Sequence, residues 1–340
     1  MNRVYNKKVY VFLCIIGMSL LTSCNGNSKS NTPQSAFKHN EMEMQTDTIG
    51  YVEHGPAKTD LDEKGNPLPY EYNGKEFVLD YNVKMGGAVE YMGFLLFVNG
   101  KPQKFTLTDD EARYCNYVKL EENKENYDFL LKFSPTVGKK NETVLCSVVS
   151  IFNAKFKPDM SQTVSYGINQ SAWAVKFPIH YSVDAVGSEE GYRNDLISEK
   201  KHEIKKMISS EIQNVFDLQI DEMQNKGVYD GMIIENQKIY DNFDISGLDI
   251  MNIKYGLTGK LDAEYKITFF LDNDPIYNTE LKLKKDRVSW LDLSINVNGL
   301  NENTSFYAIA VPASYRTFPD REKSVVKSPS ILLYHKQRIP

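Results

Sequence analysis

Carboxylates are the most abundant side chains in this sequence that could carry out chemistry, with 45 Asp and Glu among 340 residues. Two carboxyl groups that face each other across a cleft can hydrolyse a glycosidic bond. The spacing of acidic residues along a chain does not show which of them face each other, and most acidic side chains only solvate a surface. A hydrolase that acts on carbohydrate or peptidoglycan therefore stays open as an alternative, with no catalytic residue assigned.

The spacings that mark the common catalytic motifs do not occur in the sequence. A zinc-protease helix needs a second histidine four residues after the first, whereas Lys206 follows His202 at that distance. The chain also has no nucleophile elbow, no phosphate-binding glycine loop and no dinucleotide fingerprint. We therefore predict neither an enzymatic activity nor a cofactor.

One acidic segment partly matches a calcium-binding loop. Asp60, Asp62 and Glu71 occupy the first, third and twelfth positions of such a loop. Lys64 stands at another ligand position, where its charge opposes the metal, and no predicted helix flanks the segment. A solvated acidic turn is the alternative, and our overall prediction is that the protein holds no metal.

Trp290 is the most informative single side chain for binding. On a strand, it would share a face with Asp292 and Asn296, because the alternate residues Leu291, Leu293 and Ile295 are apolar and form the other face. A tryptophan beside polar groups is suited to stack a sugar ring or to anchor a protein partner. We predict that Trp290, Asp292 and Asn296 bind a ligand. The alternative is that a loop or a second domain buries Trp290.

Trp173 has the opposite pattern. It shares its strand face with Val175, Phe177 and Ile179, all of which are apolar. The sequence therefore predicts that Trp173 is part of a hydrophobic core.

Alternation with a period of two dominates the chain from Tyr70 onwards and predicts β-strands. The run 91–98 is apolar on both faces, as is typical of a central strand. Asn99-Gly100 follows it and is the strongest short-range signal for a hairpin. Such runs succeed one another at short spacing without predicted helices between them, which indicates an antiparallel sandwich or barrel.

Residues 188–226 interrupt this pattern. Apolar residues from Leu196 to Val215 recur at roughly helical spacing, with Lys and Glu between them. Ser188 is a suitable N-cap, and Glu189 and Glu190 would lie in the first turn. We predict a helical connector here.

Two pairs of segments resemble each other in the same order along the chain. Residues 264–275 are similar to residues 90–102, and the prolines that end them lie 173 positions apart. Residues 290–304 are similar to residues 127–143, with an offset of 161 between Thr143 and Thr304. This order favours a duplicated β-domain, although all hairpins share some turn chemistry.

These observations predict a mainly β fold with two tandem antiparallel immunoglobulin-like β-sandwiches and one helical connector. The predicted bounds are 69–187 for the first sandwich, 188–226 for the connector and 227–340 for the second sandwich. Residues 24–68 are polar and aperiodic, and we interpret them as a flexible tether.

Leu21-Thr22-Ser23-Cys24 follows a basic start and an apolar run that is too short to span a bilayer. The four residues resemble the lipobox of bacterial lipoproteins. The resemblance implies that residues 1–23 are a signal peptide and that the thiol of Cys24 becomes the lipid attachment site. The expected location is the cell membrane or outer membrane, with the body anchored by lipid outside the cytoplasm.

Cys115 and Cys146 are the cysteines of the predicted folded body. An exported compartment permits a disulfide between them. Cysteine in a strand-like run such as 144–148 also serves as a small core residue, and only geometry decides between the two roles.

The whole chain has a net charge of −5, and removal of a leader with three basic and no acidic residues takes it to −8. A net-acidic body argues against nucleic acid as a partner.

We predict a surface protein with a non-catalytic binding or adhesion role towards a glycan or an envelope protein. A solute-binding transporter subunit is a second alternative, but such proteins alternate strands and helices. The oligomeric state is not predicted.

Overall fold

The computed structural model describes residues 50–87, 89–107, 111–157, 170–187, 191–206, 214–216, 227–259, 262–301, 303–313 and 325–336. Residues 46–340 form one compact unit. The predicted signal peptide, the lipobox with Cys24 and the tether up to residue 49 lie outside the described residues. Of the helical segments in the described ranges, none is long and apolar enough to cross a membrane.

The first half of the described chain consists of nine strands. They are β1 (Tyr51–Pro56), β2 (Tyr70–Tyr72), β3 (Phe77–Gly86), β4 (Tyr91–Val98), β5 (Lys101–Gln103), β6 (Cys115–Lys119), β7 (Asn126–Phe133), β8 (Thr143–Phe152) and β9 (Ala172–Tyr181).

The second half begins with a short 3-10 helix, Asn194–Leu196, and continues with eleven strands in the described ranges. They are β10 (Ile197–Lys206), β11 (Val228–Ile234), β12 (Gln237–Lys238), β13 (Asn242–Asp244), β14 (Ile250–Gly259), β15 (Ala263–Leu271), β16 (Asp274–Leu283), β17 (Arg287–Asn296), β18 (Thr304–Pro312), β19 (Val326–Lys327) and β20 (Ile331–Tyr334).

The first half folds into a sandwich of two sheets. Its outer sheet has the order β1-β3-β7, and its inner sheet has the order β2-β9-β8-β4-β5, with β6 also paired to β4. Strict alternation along β3 buries every second residue, from Phe77 to Met85, against the inner sheet. The apolar faces of the two sheets therefore pack against each other and form one shared core.

The second half repeats this arrangement. Its outer sheet has the order β10-β17-β14-β11-β12, and its inner sheet has the order β13-β20-β18-β15-β16, with β19 paired to β18. The core between these two sheets is built from residues such as Tyr255, Leu291, Phe269 and Phe306. The prediction of two mainly antiparallel β-sandwiches is confirmed.

The two halves share one strand order, which supports the hypothesis of a duplicated domain. The order β1-β3-β7 corresponds to β11-β14-β17, and β2-β9-β8-β4-β5 corresponds to β13-β20-β18-β15-β16. Each inner sheet also has a parallel pair at the same edge, β2 with β9 and β13 with β20. Phe97 of β4 is equivalent to Phe270 of β15. Phe97 pairs with Ser147 and Phe270 pairs with Tyr307, so Ser147 of β8 and Tyr307 of β18 are also equivalent, and they lie 160 residues apart.

Equivalent turns follow the equivalent strands β4 and β15. Asn99 and Gly100 have φ values of 50° and 71°, and Asp272 and Asn273 have values of 48° and 69°. Two consecutive residues in the left-handed region are what a type I′ hairpin requires. The sequence therefore predicted both turns correctly.

The inner sheets of the two sandwiches pack against each other through their second faces. Leu95, Phe97, Val149 and Ile151 of the first sandwich and four apolar residues of β15 and β18 share one buried cluster. The rings of the equivalent residues Phe97 and Phe270 meet edge to face with their centroids 6.2 Å apart. The four sheets are thus stacked as outer, inner, inner and outer, with a hydrophobic layer in each gap.

Two predicted boundaries are wrong. Residues 51–56, assigned to the tether, form β1 and pair with β3 over six positions. Residues 197–206, assigned to the helical connector, form β10 at the edge of the second outer sheet and pair with β17. Residues 188–190, 207–213 and 217–226 of that connector lie outside the described residues.

Candidate binding site

Trp290 lies on the predicted outward face of β17, but it is not exposed. Only 1% of its surface is accessible, because Val215 and Phe216 cover it. The side of the ring that faces the sheet lies over Gly256 on the neighbouring strand, where a Cβ atom would come within 2.5 Å of a ring carbon. The prediction that Trp290 presents a binding surface is therefore wrong.

The two polar residues predicted to act with Trp290 have different surroundings. Asp292 is half-buried and lies opposite Lys201 on one neighbouring strand and Lys254 on the other. The ammonium group of Lys254 also lies 4.7 Å from the centroid of the Trp290 ring. Asn296 is exposed at the end of β17. With the indole covered, these residues do not form the predicted aromatic platform.

The acidic loop of the calcium hypothesis is closed by its own hydrogen bonds. The Asp62 carboxylate accepts from the backbone N–H groups of Lys64 and Asn66, both at 2.8 Å, and from Asn66 Nδ2 at 3.0 Å. The Asn66 amide is the first of the contacts that hold the pKa of Asp62 below its usual value. Asp60 instead pairs with Lys58, and Glu71 is exposed on β2. Among the described residues, no group of three or more potential ligands is arranged to hold a metal ion.

Cys115 and Cys146 are both buried and free. Cys146 lies in the core of the first sandwich, whereas Cys115 lies in the layer between the two inner sheets. The two thiols therefore lie on opposite faces of one sheet, which excludes the predicted alternative of a disulfide between them.

Trp173, predicted to be core, is the large side chain that the fold leaves open. Of its surface, 57% is accessible, although Phe177 and Ile179 on the same strand face are buried. Trp173 lies near the start of β9, before the segment of that strand that pairs with β2. The prediction of the strand face was correct, but the core does not extend to this end of the strand.

A chain of hydrogen bonds fixes the backbone at Trp173. The hydroxyl of Ser150 donates to the Trp173 carbonyl at 3.3 Å, and Ser150 Oγ lies 3.0 Å from His54 Nε2. His54 Nδ1 lies 2.6 Å from the hydroxyl of Tyr81. Because Ser150 uses its proton on the carbonyl, we assign the His54 proton to Nε2, with Nδ1 accepting from Tyr81.

This Ser–His pair does not resemble an accessible nucleophile and its base. Ser150 is fully buried, and its proton is committed to a backbone carbonyl. Burial lowers the pKa of His54 to about 4, and its interaction with the Trp173 backbone raises that pKa by less. A neutral, hydrogen-bonded imidazole is a positioning group, and here it holds the strand segment that carries Trp173.

A cavity of about 250 Å³ lies beside Trp173. Its apolar wall includes Val149, Ala172, Ala174 and Val325, so residues of both sandwiches line it. Typical pockets for drug-sized ligands measure about 300–1,000 Å³. This cavity therefore suits a group of the size of one ring.

Two polar side chains of the cavity wall stand out among apolar ones. Gln170 is 1% exposed, and its Oε1 atom is buried without a hydrogen-bond partner in the described structure. Lys327 lines the same cavity, and its ammonium group donates to Ser330 Oγ at 2.8 Å and to the Ser328 carbonyl at 3.0 Å. The apolar wall belongs to the layer between the inner sheets, so the cavity and the Trp173 side chain, which shares the face of Phe177 and Ile179, lie on opposite faces of β9.

Sequence analysis missed both features, the hydrogen-bonded Trp173 segment and the cavity, because the residues of each are far apart in the chain. His54 was assigned to the tether, and Lys327 and Gln170 belong to no motif. The signal available was Trp173 itself, a tryptophan between the small residues Ala172 and Ala174 at the start of a strand.

No family model matches the chain, and no curated protein matches it. Solved structures that are similar include fibronectin(III)-like modules of Clostridium thermocellum CbhA, at 8% identity and a TM-score of 0.19 over 84% of this chain and 94% of that chain. The C-terminal domain of the Streptococcus agalactiae AgI/II polypeptide BspA covers 84% of this chain and 100% of its own length at 10% identity, with a TM-score of 0.20. The periplasmic chaperone SfaE gives 9% identity and a TM-score of 0.20 over 84% of this chain and 100% of that chain. With TM-scores near 0.2, the fold of this chain rests on its own strand pairing and cores.

Proposed function

We propose that this chain is a lipid-anchored envelope protein with a non-catalytic binding role, and that it binds a glycan by stacking a sugar ring on Trp173. The observation that carries the proposal is the open indole, which is 57% exposed although Phe177 and Ile179 on the same strand face are buried. Exposure of a large aromatic side chain is costly in water, and a flat apolar ring with a polar edge suits the apolar face of a sugar.

The rigidity of the site supports the same proposal. The hydrogen bonds from Tyr81 through His54 and Ser150 to the Trp173 carbonyl fix the strand segment before any ligand arrives. A binding group that is already in place loses less conformational entropy when the ligand binds. A tryptophan held in this way is a better platform than one on a free loop.

The proposed anchor is Cys24, through the resemblance of residues 21–24 to a lipobox. An acyl chain contributes roughly 0.8 kcal/mol for each buried CH₂ group, so two or more chains hold a protein firmly on a membrane. The body would then present the Trp173 site outside the cytoplasm. Cys24→Ser should release the chain from the membrane fraction and give the soluble form needed for binding measurements.

The binding proposal is tested on a glycan array with the full chain carrying Cys24→Ser, with and without Trp173→Ala. We expect Trp173→Ala to weaken binding by about 10-fold or more, which corresponds to roughly 1.4 kcal/mol. Tyr240→Ala is the matched control, because Tyr240 is an aromatic residue of similar exposure, 56%, outside the cavity wall. Equal loss in both variants, or hydrolysis of the bound glycan by the unsubstituted chain, would contradict the proposal.

A further inference from the structure

The first sandwich contains an excursion at a place where the second sandwich has one continuous strand. In the second inner sheet, β16 pairs with β15 along its length, with a single register shift. The equivalent edge of the first inner sheet is divided between β5, which pairs with the end of β4, and β6, which pairs with its start. Residues 104–114 leave the sheet between these two strands, and residues 104–107 and 111–114 of them are described.

This excursion is fixed to the body of the first sandwich. Phe105 and Leu107 are buried in its core, at 0% and 4% exposure. Between them, Thr106 exchanges two backbone hydrogen bonds of 3.0 Å with Lys132 of β7. The side-chain amide of Asn116 donates to the Phe105 carbonyl at 2.7 Å. A segment held in this way presents its remaining side chains from a rigid base, as binding loops do.

A cleft of about 260 Å³ lies between the excursion, the end of β7 and the segment that leads to the second sandwich. Two tyrosines of its wall, Tyr114 and Tyr192, are half-buried, and their ring centroids lie 6.4 Å apart with 51° between the ring planes. The ammonium group of Lys104 lies 5.6 Å from the centroid of the Tyr114 ring. Gly187 also lines the cleft, and its N–H donates to the Pro135 carbonyl at 2.9 Å. The two adjoining rings offer an aromatic surface on which a ligand ring can lie.

The polar side chains of the cleft wall carry both signs of charge. Lys104 and Lys132 supply ammonium groups, and Glu76 supplies a carboxylate. Thr106 and Ser134 add hydroxyl groups. Donors and acceptors around an aromatic surface are complementary to hydroxyl groups, because each hydroxyl can both donate and accept. A ligand with a full charge of either sign would meet a like charge in this wall, which is unfavourable.

We infer that this cleft is a second binding site, for a neutral sugar residue whose ring lies against Tyr114 and Tyr192. Trp173 does not line the cleft, and in the first inner sheet β9 and β5 lie on opposite sides of β8 and β4. The inference therefore goes beyond the proposed function and does not depend on the Trp173 site. Two sites on one chain would let it hold two units of a polysaccharide more firmly than either site alone.

The test uses a glycan array with the full chain carrying Cys24→Ser and Trp173→Ala, so that the site at Trp173 is removed. We expect this chain to bind neutral glycans, and we expect Tyr192→Ala to weaken that binding by about 10-fold. Tyr192→Phe keeps the ring and should retain the affinity. Tyr240→Ala is the matched control, because Tyr240 is an exposed tyrosine outside the cleft.

A second readout compares each bound neutral glycan with analogues in which the same ring carries a carboxylate or an amine. Both charged analogues should bind less tightly, and equal or tighter binding of either would overturn the assignment of a neutral sugar. No glycan binding by the Trp173→Ala chain, or binding that Tyr192→Ala leaves unchanged, would overturn the second site. In either case the chain with Trp173 intact decides on the proposed function separately.

Discussion

The side chain of His54 contacts both the core of the first sandwich and the strand segment that carries the exposed indole of Trp173. Its imidazole is held between the hydroxyl of Tyr81 and the hydroxyl of Ser150, and the ring also lies edge to face with Phe94, with centroids 5.5 Å apart. These contacts leave both ring nitrogens satisfied in the neutral form. Protonation would add a second N–H at Nδ1, where the partner atom is already a donor.

This arrangement predicts a specific loss of stability in acid. The pKa of His54 is lowered from 6.5 to about 4 in the folded chain, so below pH 6.5 the unfolded chain binds a proton that the folded chain does not. Stability should therefore decrease as the pH falls from 6.5 to 4, by about 3 kcal/mol in total from this group. Urea unfolding at several pH values measures the effect.

The matched variant for that experiment is His54→Gln, which does not titrate. It should be less stable at pH 7, because it loses part of the hydrogen-bond chain, but its stability should fall less steeply between pH 6.5 and 4. Parallel curves for the two proteins would show that His54 is already accessible to protons in the folded state.

The two tryptophans show what a strand pattern can and cannot predict. The alternation of side chains along each strand placed both residues on the correct face, Trp173 with Phe177 and Trp290 with Asp292. The alternation along a strand does not show how far a core extends or which segment covers an outer face, because both depend on residues distant in sequence. Trp173 lies beyond the covered part of its face, and Val215 and Phe216 cover Trp290.

At the level of elements, β14 and β17 make room for Trp290 by placing a glycine opposite it. Gly256 pairs with Trp290 across the two strands, and the ring lies over the position that a Cβ atom would occupy. An aromatic side chain that covers a cross-strand glycine shields the backbone that the glycine exposes. The pair is therefore a local packing unit on the outer face of the second sandwich.

Gly256→Ala should destabilise the chain by about 1–3 kcal/mol, because the added methyl group would come within 2.5 Å of a ring carbon in a buried position. Thermal unfolding, together with the fluorescence of Trp290, measures the change. Gly191→Ala is the control, since an added Cβ atom there meets nothing within 4 Å and the residue is exposed. A loss of similar size in both variants would argue against a steric cause.

The strand β10 shows how an edge position overrides a sequence pattern. Residues 197–206 contain several Lys and Glu residues and only two apolar ones, Ile197 and Ile204. The helix was predicted from the spacing of apolar residues over the longer segment from Leu196 to Val215. The structure places the segment beside β17, where backbone pairing from Ile197 to Lys206 stabilises it. Lysine is well tolerated on edge strands because it discourages pairing with a further chain. The neighbour that supplies these bonds lies about 90 residues away, so local spacing could not reveal it.

At the level of the whole molecule, the apolar character of β4, β8 and β18 has a single explanation. Nearly every residue of these strands is buried, because one face contributes to a sandwich core and the other to the layer between the inner sheets. The sequence correctly predicted β4 to be central, and it also favoured a duplication, which the shared strand order supports. It could not show that the two copies pack against each other through equivalent faces, since that depends on complementary surfaces rather than on pattern.

Asn273 locks the two sandwiches together at this layer. It lies at the tip of the β15–β16 turn, is 5% exposed, and donates from Nδ2 to Tyr117 Oη at 2.9 Å and to the Ala154 carbonyl at 3.0 Å. Its Oδ1 atom accepts from the Tyr307 hydroxyl at 2.8 Å. One side chain of the second sandwich thus satisfies polar groups of both, within an otherwise apolar layer.

We therefore expect the two sandwiches to unfold in one transition. We also expect Asn273→Gly to reduce the free energy of unfolding by about 1–3 kcal/mol, because the variant loses the hydrogen bonds of a buried side chain. Glycine keeps the left-handed backbone at this position, where φ is 69°, so the variant removes the side-chain bonds alone. Asn141→Gly is the matched control, because Asn141 has a φ of 66° in a turn but is exposed. Differential scanning calorimetry measures both quantities. Two separate transitions in the unsubstituted chain would mean that the shared layer is too weak to couple the copies, and an equal loss in the control would mean that the turn rather than the junction sets the stability.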